Sequence, residues 1–370
     1  MAKKQEEKKA TGSFLTGYNK ECKDIDGISL SSPSPNYWLD AGSLVINKII
    51  SGSYDKGWAS GRLGAVAGPS ASGKSFLLGN AVKSALNNTQ QEWGVLVVDS
   101  ENAVDDDYLS GIGANIDDNP LYNYRGVSTI SQTVNVVSKF IKAYKEAGET
   151  MPFLITIDSL DNLMTDSETT QYESGEMKGD QGQHSKQVKA LLKRFVADVK
   201  GTNIVMLCSK GMYANQDPIA KLNDPFVLNE AVKFAFSQIL TLTKFKLKDK
   251  ATSTFEGINL KVRGEKTRFA KPFQQATIEL PYDVGMDPYT GMLDVAVSLG
   301  IVQQGGSWYT YNDTKFQKSN FDSVKAEVIA QVLIKDAALD VQVNEEEMVE
   351  DRTAPPSRKQ TLMEKTSSEK

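Results

Sequence analysis

The chain has 370 residues, of which 40% are hydrophobic and 24% are charged, and its formal net charge at pH 7 is −5. This length exceeds one average domain, so we expect one large domain with smaller additions around it. The negative charge argues against nucleic-acid binding through the whole surface, and such binding would need locally basic segments. The single histidine, His184, excludes a histidine-rich metal site and disfavours a Ser-His-Asp hydrolase.

Cysteine usage and hydropathy predict the compartment. Only Cys22 and Cys208 occur, and the chain has neither a signal-peptide pattern nor an apolar run of about 18 residues. We therefore expect a soluble, cytoplasmic protein that does not associate with a membrane.

Composition along the chain predicts four regions. Residues 1–36 combine mixed charge with a Ser/Pro linker, which indicates an arm that is either disordered or packed on a neighbouring subunit. Residues 37–285 form the core. Residues 286–336 form a small C-terminal region with a helical piece and a strand at Trp308–Tyr311. Residues 337–370 are acidic and then rich in Pro, Ser and Lys, which predicts a disordered tail.

A phosphate-binding pattern lies near the start of the core. An apolar run, Leu63–Ala67, predicts a buried strand, and helix-compatible spacing follows from Phe76 to Val82. Between them the pattern G-x-x-x-x-G-K-[ST] is matched by Gly68, Pro69, Ser70, Ala71, Ser72, Gly73, Lys74 and Ser75. This order directs backbone N–H groups at phosphate oxygens, with Lys74 on the β- and γ-phosphates and the Ser75 hydroxyl on Mg²⁺. An ordinary glycine-rich turn is the alternative.

Carboxylates close two further apolar runs. The strand predicted over Trp93–Val98 is followed by Asp99, Ser100 and Glu101, and Glu101 could orient the water that attacks the γ-phosphate or could cap a helix. The run Phe153–Ile157 ends in Asp158, an arrangement typical of an aspartate that holds Mg²⁺. Ser159, next to it, could be only a turn residue.

Two long polar segments leave predicted strands at the edge where ligands bind in open α/β sheets. The first, from Met164 to Gln183, shows no strand or helix period, and the second runs from Met212 to Leu228. Lys186 lies on a helix face after the first segment, where it could be simply solvated or could contact phosphates. Antiparallel strands are predicted over Ile239–Leu247 and Gly257–Val262, and they overlap the most basic part of the chain, Lys244–Lys271.

Together these motifs resemble the RecA family of ATP-dependent recombinases over roughly residues 37–311, and within it the phage UvsX-like proteins most. The resemblance implies an α/β fold, a RecA-type P-loop ATPase core with a mostly parallel central sheet, helices on both faces and an antiparallel extension. It implies a DNA-dependent ATPase that uses ATP and Mg²⁺, with Glu101 and Lys74 as catalytic residues and Ser75 and Asp158 at the metal.

Further roles also follow from the resemblance. Asp105 and Tyr108 fall where the family recognises adenine, Tyr108 by stacking on the base. Phe234, beside Lys233, matches an aromatic contact with the adjacent protomer. Lys266 and Arg268 match a basic pair that reaches the neighbour's ATP.

Two positions depart from the family pattern. Ser209 stands where the family commonly has a glutamine or histidine that senses the γ-phosphate, and Lys210 after it could take over as a point charge. Gln238 stands in place of an expected basic residue.

The expected function is homologous recombination. The protein would form a helical filament on single-stranded DNA, held by loop residues such as Lys178, Lys186 and Lys210, and would pair it with a homologous duplex. Single-strand-binding and loader proteins are further expected partners, and the compartment is the host cytoplasm if a phage encodes the chain. The alternatives are a hexameric DNA helicase with the same core and a non-catalytic ATP-binding regulator of recombination.

Overall fold

The computed structural model describes residues 14–22, 34–175, 182–217, 225–248, 255–281 and 286–338. The chain divides into two compact units, Met1–Pro288 and Tyr289–Lys370. Most of the predicted arm and almost all of the predicted tail lie outside the described residues, which include from the arm a helix over residues 14–22, named α1.

The first unit alternates strands and helices. Up to the middle of the chain its elements are β1 (Trp38–Leu39), α2 (Leu44–Ser51), β2 (Trp58–Ala59), β3 (Arg62–Gly68), α3 (Lys74–Leu86), β4 (Gly94–Asp99), α4 (Asp106–Gly111), β5 (Tyr122–Gly126), α5 (Ile130–Glu146) and β6 (Phe153–Asp158). They are followed by α6 (Asp166–Glu173), α7 (Gln183–Val199), β7 (Ile204–Gly211), β8 (Tyr213–Ala214), β9 (Phe226–Val227), α8 (Glu230–Lys233), β10 (Gln238–Lys248), β11 (Phe255–Thr267) and β12 (Gln275–Pro281).

An eight-stranded sheet in the order β12-β11-β10-β3-β7-β6-β4-β5 forms the centre of this unit. Six neighbouring strands, from β10 to β5, run parallel, and β11 and β12 extend the sheet antiparallel. Every residue of β4 is buried, and β3, β6 and β7 are buried apart from one terminal residue each. These pairings confirm the expected mostly parallel sheet. Strands buried on both faces have continuous apolar sequences, and the sequence predicts them for that reason.

Helices cover both faces of the sheet. Helices α5 and α7 pack on one face, around the fully buried Phe195 and alternate strand residues such as Ala65, Ile157 and Cys208. Helix α3 packs on the other face of the strands, and none of its buried residues belongs to the cluster around Phe195. A capping box between Thr129 and Gln132 starts α5.

Strand register places the functional motifs at one edge. Gly68 is the register partner of Gly211 across β3 and β7, and Asp99 is the partner of Asp158 across β4 and β6. Since all four strands are parallel, their carboxyl ends and the segments that follow them lie together.

The expectation of an irregular segment from Met164 to Gln183 is wrong for its first half, which contains helix α6. The Thr165 side chain accepts from the Glu168 N–H, and the Glu168 carboxylate accepts from the Thr165 N–H, so a capping box fixes the helix start. No side chain of α6 is buried, and the segment therefore shows no helical period of apolar residues. Lys178 lies outside the described residues.

The second unit contains α9 (Met292–Ser298), β13 (Gln303–Gly305), β14 (Trp308–Tyr311), β15 (Thr314–Gln317), a 3₁₀ helix (Lys318–Ser323) and a helix, α10, over residues 325–338. The three strands form an antiparallel sheet. Stacked rings of Tyr309 and Phe316, with centroids 5.7 Å apart, pack across it. The predicted helical piece and the strand at Trp308–Tyr311 are confirmed.

Gln238, the residue that replaces an expected basic side chain, is buried at the start of β10 and links three backbone groups. Its Oε1 accepts from Ala59 N at 2.9 Å, and its Nε2 donates to Gly57 O at 2.9 Å and to Ile50 O at 3.1 Å. A lysine or arginine could not accept the Ala59 hydrogen bond. Gln238 therefore joins the segment before β3 to the sheet.

We expect Gln238→Met to lower the free energy of unfolding by roughly 2–4 kcal/mol, since it leaves buried backbone groups without partners. Urea unfolding should show a lower midpoint at an unchanged slope. The matched change Gln303→Met, at an exposed strand position, should move the midpoint little. Equal midpoints for the two variants would contradict this role of Gln238.

Candidate functional site

The turn between β3 and α3 has the close backbone geometry of a phosphate-binding loop. A Cβ on Gly68 would lie 2.4 Å from Ser72 Oγ and 2.9 Å from the Leu242 carbonyl oxygen, so only glycine fits there. Gly73, immediately before α3, is left-handed with φ of +88°. Lys74 Nζ donates to the Pro69 carbonyl oxygen at 3.0 Å, which places the ammonium over the loop.

Asp158 ends β6 inside this site. Ser209 Oγ donates to its Oδ1, and hydrogen bonding from Ser75 also reaches the carboxylate. Burial raises the pKa of Asp158 above its ordinary value, and the negative charges of Glu101 and Asp99 add to the rise, while the two serines oppose it. The metal residues predicted from the sequence, Ser75 and Asp158, thus lie together.

Two buried oxygen atoms at this edge fit a bound Mg²⁺–nucleotide. Ser72 Oγ and Asp158 Oδ2 have no hydrogen-bond partner within the part of the chain that the structure describes. Buried polar atoms of this kind normally find a partner, and oxygen atoms are the ligands and hydrogen-bonding groups that magnesium, its waters and phosphates require. Ser75 and Asp158 would hold the ion, which neutralises phosphate charge, and Lys74 would hold phosphate oxygens.

Glu101 is positioned by its neighbours. The buried Asp99 accepts hydrogen bonds from the N–H groups of Glu101 at 2.8 Å, Asn102 at 2.9 Å and Val104 at 3.1 Å. Ser159 Oγ donates to Glu101 Oε1. Helix α4 takes Asp105 as its N-cap, so the alternative role of Glu101 as a helix cap is wrong. Ser159 is more than a turn residue, since it aims the carboxylate.

Asp105 and Tyr108, the predicted adenine residues, lie beside the phosphate-loop helix. The Asp105 carboxylate accepts from Tyr108 N at 2.8 Å. The Tyr108 ring covers Gly79 of α3, where a Cβ would lie 3.1 Å from Cε1. Burial, followed by the charge of Asp158, raises the pKa of Tyr108 to about 12. The ring thus borders the nucleotide site, and its contact with adenine stays a prediction.

Lys210 and Lys186 differ in exposure. Lys186 lies on the exposed face of α7 with Lys189 and Lys193. Lys210 is buried, and its ammonium forms an ion pair with Asp161, a residue that the sequence had not singled out. Its direct contact with a phosphate would require this ion pair to open.

Three residues are predicted to meet a neighbour, and they lie in the segment before β10 (Phe234), near the end of β11 (Lys266) and just after it (Arg268). Lys266 is level with Ala65 through Ile239, and its Nζ donates to the Lys233 carbonyl oxygen at 2.7 Å. Phe234 is 78% exposed. Burial and the nearby charge of Arg268 lower the pKa of both Lys266 and Arg62, which places Arg268 near the start of β3.

The distance from Arg268 to the phosphate loop follows from strand geometry. Arg62 and Gly68 are the two ends of β3, and six residue steps at about 3.3 Å each span roughly 20 Å. Arg268 therefore lies far from the phosphate loop of its own chain. If it serves an ATP molecule, that molecule belongs to another copy.

The fold and the loop geometry together define a P-loop α/β protein. Within that class, the RecA N-terminal domain matches residues 35–287 and the RecA C-terminal domain matches residues 290–318. The chain therefore belongs to the RecA family. The predicted closeness to phage UvsX-like proteins stays a prediction.

Individual relatives are distant. The chain is 25% identical over 291 residues to Protein RecA of Treponema denticola, covering 78% of this chain and 65% of the relative. It is 28% identical over 268 residues to Protein RecA of Leptospira biflexa, covering 70% and 63% of the two chains. For Protein RecA of Teredinibacter turnerae the identity is 24% over 321 residues, covering 85% and 83%. The chain thus spans less than two thirds of the length of the first two relatives.

Across the described ranges, none of the helices combines the length and the apolar character needed to cross a membrane.

The raised pKa of Asp158 predicts opposite effects for two adjacent carboxylates. Asp158→Asn keeps an acceptor for Ser209 and removes a buried charge, so we expect the free energy of unfolding to rise by roughly 0.5–2 kcal/mol at pH 8 without Mg²⁺. The gain should shrink as the pH falls through the raised pKa toward the ordinary value of about 3.9, because the wild-type carboxyl then becomes neutral in the folded state.

Asp99→Asn is the matched control. Its amide cannot accept every N–H that Asp99 now satisfies, so it should lower the free energy of unfolding by about 1–3 kcal/mol. Urea unfolding over a pH series measures both variants. Destabilisation by Asp158→Asn as large as that by Asp99→Asn would contradict the assignment.

Proposed function

We propose that this chain is an ATP-dependent homologous recombinase, which forms a helical filament on single-stranded DNA and promotes pairing and strand exchange with a homologous duplex. Membership of the RecA family supports the class. The observation that carries the proposal is the separation of two half-sites. Phosphate-binding residues meet at one sheet edge and Arg268 lies toward the other, near Arg62, with Lys266 level with Ala65 between them. Such a chain completes a nucleotide site by meeting a second copy head to tail.

ATP hydrolysis would use the residues at the phosphate-loop edge. Lys74, together with the loop N–H groups, would hold the β- and γ-phosphates, and Ser75 and Asp158 would hold Mg²⁺. Glu101 would accept a hydrogen bond from the attacking water and take its proton. Ser159 and the Asp99-held loop keep Glu101 in place, so little rearrangement of the carboxylate is needed.

The neighbouring copy would supply the remaining charge. Lys266 and Arg268 repel each other, and an anionic γ-phosphate between protomers would relieve that repulsion. The exposed Phe234 ring would pack on the adjacent protomer, where aromatic side chains contribute strongly to binding. Hydrolysis would remove the shared phosphate, weaken the contact and release DNA.

DNA would be held by its phosphates with little reading of sequence. Lys178 belongs to the first polar segment, and Lys186 follows it on the exposed face of α7. Such contacts depend on salt and tolerate any base, so homology would be recognised by base pairing itself. Lys210 lies at the end of β7, just before the second polar segment, and would position that segment.

A ring-shaped DNA helicase is the second candidate, because a cation supplied by a neighbour also fits a closed hexamer. The same separation of half-sites favours both assemblies. They differ in whether the head-to-tail contact closes on itself or continues as an open helix.

For Glu101→Gln we expect ATP turnover to fall by at least about 100-fold, while DNA binding in the presence of ATP is kept. Electron microscopy of this variant on single-stranded DNA should show continuous filaments. The exposed Glu92→Gln change is the control and should leave turnover unchanged. Closed rings would favour the helicase, and a wild-type chain without ATP turnover, which Glu101→Gln cannot lower further, would favour a non-catalytic regulator.

Mixing two inactive variants tests the shared site. Lys74→Ala and the double variant Lys266→Ala/Arg268→Ala should each lack ATPase activity on single-stranded DNA. In an equimolar mixture, about a quarter of random head-to-tail contacts join two intact halves, so a similar fraction of wild-type activity should return. Absence of recovery, with both variants still entering filaments, would show that the basic pair does not act across protomers.

A further inference from the structure

Asp161 collects three donors from one neighbouring segment. Its carboxylate forms the ion pair with Lys210, accepts from Gly211 N at 2.5 Å and lies 3.4 Å from the Tyr213 hydroxyl. All three donors belong to the end of β7 and to β8, which pairs with β9 through Tyr213 and Val227. Asp161 thus anchors the stem of the second polar segment, by which we mean the end of β7 and the paired strands β8 and β9.

The ion pair fixes both partners. The Lys210 side chain is only 5% exposed and that of Asp161 is 26% exposed, so the ammonium has little water to replace a lost carboxylate. A buried charge without its partner is strongly unfavourable. Lys210 is therefore held where Asp161 places it.

Strand β7 also contacts the predicted magnesium residue Asp158. Ser209 of β7 donates to Asp158 of β6, and the next residue, Lys210, pairs with Asp161 three residues after Asp158. Successive strand residues point to opposite faces, so these two contacts join the strand ends from both sides of the sheet. A displacement of Asp158 or Ser209 would reach Lys210 through one peptide unit.

Asp161 also lies close to the first polar segment, which begins at Met164. We propose, on the basis of the function proposed above, that Asp161 is a positioning residue that couples the nucleotide site to both candidate DNA segments through Lys210. Ser209 donates its hydrogen bond to Asp158. The Asp161–Lys210 ion pair would transmit a displacement of these two residues to strands β8 and β9 of the stem.

The test uses the full-length chain and compares Asp161→Asn, Lys210→Met and the double variant. The measurement is the ratio of single-stranded DNA affinities with and without a non-hydrolysable ATP analogue and Mg²⁺. Each single variant should reduce this ratio by about tenfold, and the double variant should reduce it no further, because the two residues act as one unit. Without DNA, the affinity of Asp161→Asn for a fluorescent nucleotide should stay within about twofold of wild type, because the coupling acts only when both ligands are bound.

Asp198→Asn is the matched control, since Asp198 forms an ion pair with Arg194 at 2.9 Å on α7. It should leave the ratio unchanged. If Asp161→Asn does not fold, Asp161→Glu retains the charge and displaces the carboxylate, and it should reduce the ratio while Lys210 stays paired. A folded Asp161 variant with the wild-type ratio would overturn the inference.

Amide hydrogen exchange separates failure of this inference from failure of the proposed function. The analogue should slow exchange at residues 211–214 in the wild-type chain and leave it unchanged in Asp161→Asn. Equal slowing in the wild-type chain and in Asp161→Asn would contradict the coupling role of Asp161 and leave the proposed function intact. A wild-type chain that neither binds the analogue nor changes its DNA affinity would overturn the proposed function and the coupling with it.

Discussion

The alignment of Asp99 and Asp158 on adjacent parallel strands is the constraint on which the site depends. Both carboxylates are buried, and charge repulsion and desolvation would make the pair costly without hydrogen bonds. Asp99 takes three N–H groups and the Tyr124 hydroxyl, and so it fixes the loop that carries Glu101. Asp158 receives donors mainly at one oxygen and keeps the other unpaired. One acid therefore organises the protein, and the other remains available for chemistry.

The buried carboxylate of Asp158 lowers the stability of the fold. A carboxylate with a raised pKa opposes folding at neutral pH, and a bound cation would reverse that effect. Stability and nucleotide chemistry are therefore in conflict at Asp158, as is common where a site needs a reactive or unsatisfied group. The surrounding strands, buried on both faces, are rigid enough to tolerate it.

Much of the fold could be predicted from the sequence because the central strands are continuous apolar runs and the phosphate-loop pattern is specific. Elements with little apolar content were missed. The edge strand at Tyr122–Gly126 is mostly exposed, and α6 buries no side chain, so neither has a hydrophobic period. The Thr165–Glu168 capping box was a visible signal for α6 that hydrophobic spacing does not include.

The candidate site was predictable in its motifs and not in its supporting contacts. Asp161, Ser159 and Gln238 act through partners far away in sequence, and their residue types alone are equally typical of turns and surfaces. Local pattern can identify a motif such as Gly68–Ser75, and it cannot identify a side chain whose role depends on tertiary neighbours. Lys210 illustrates the limit, because burial and a partner carboxylate change what its charge can reach.

The length of β3 would set a relation between assembly size and turnover. If Arg268, near Arg62, completes the phosphate-loop site of a second copy as proposed, a row of n copies joined head to tail would contain n−1 completed sites. A single copy would then have none, and the copy at one end of any row would keep an incomplete one. ATP consumption per molecule would then rise with row length and level off, so that hydrolysis reports how long the assembly is, and the terminal copy would retain its nucleotide as a slowly hydrolysing cap.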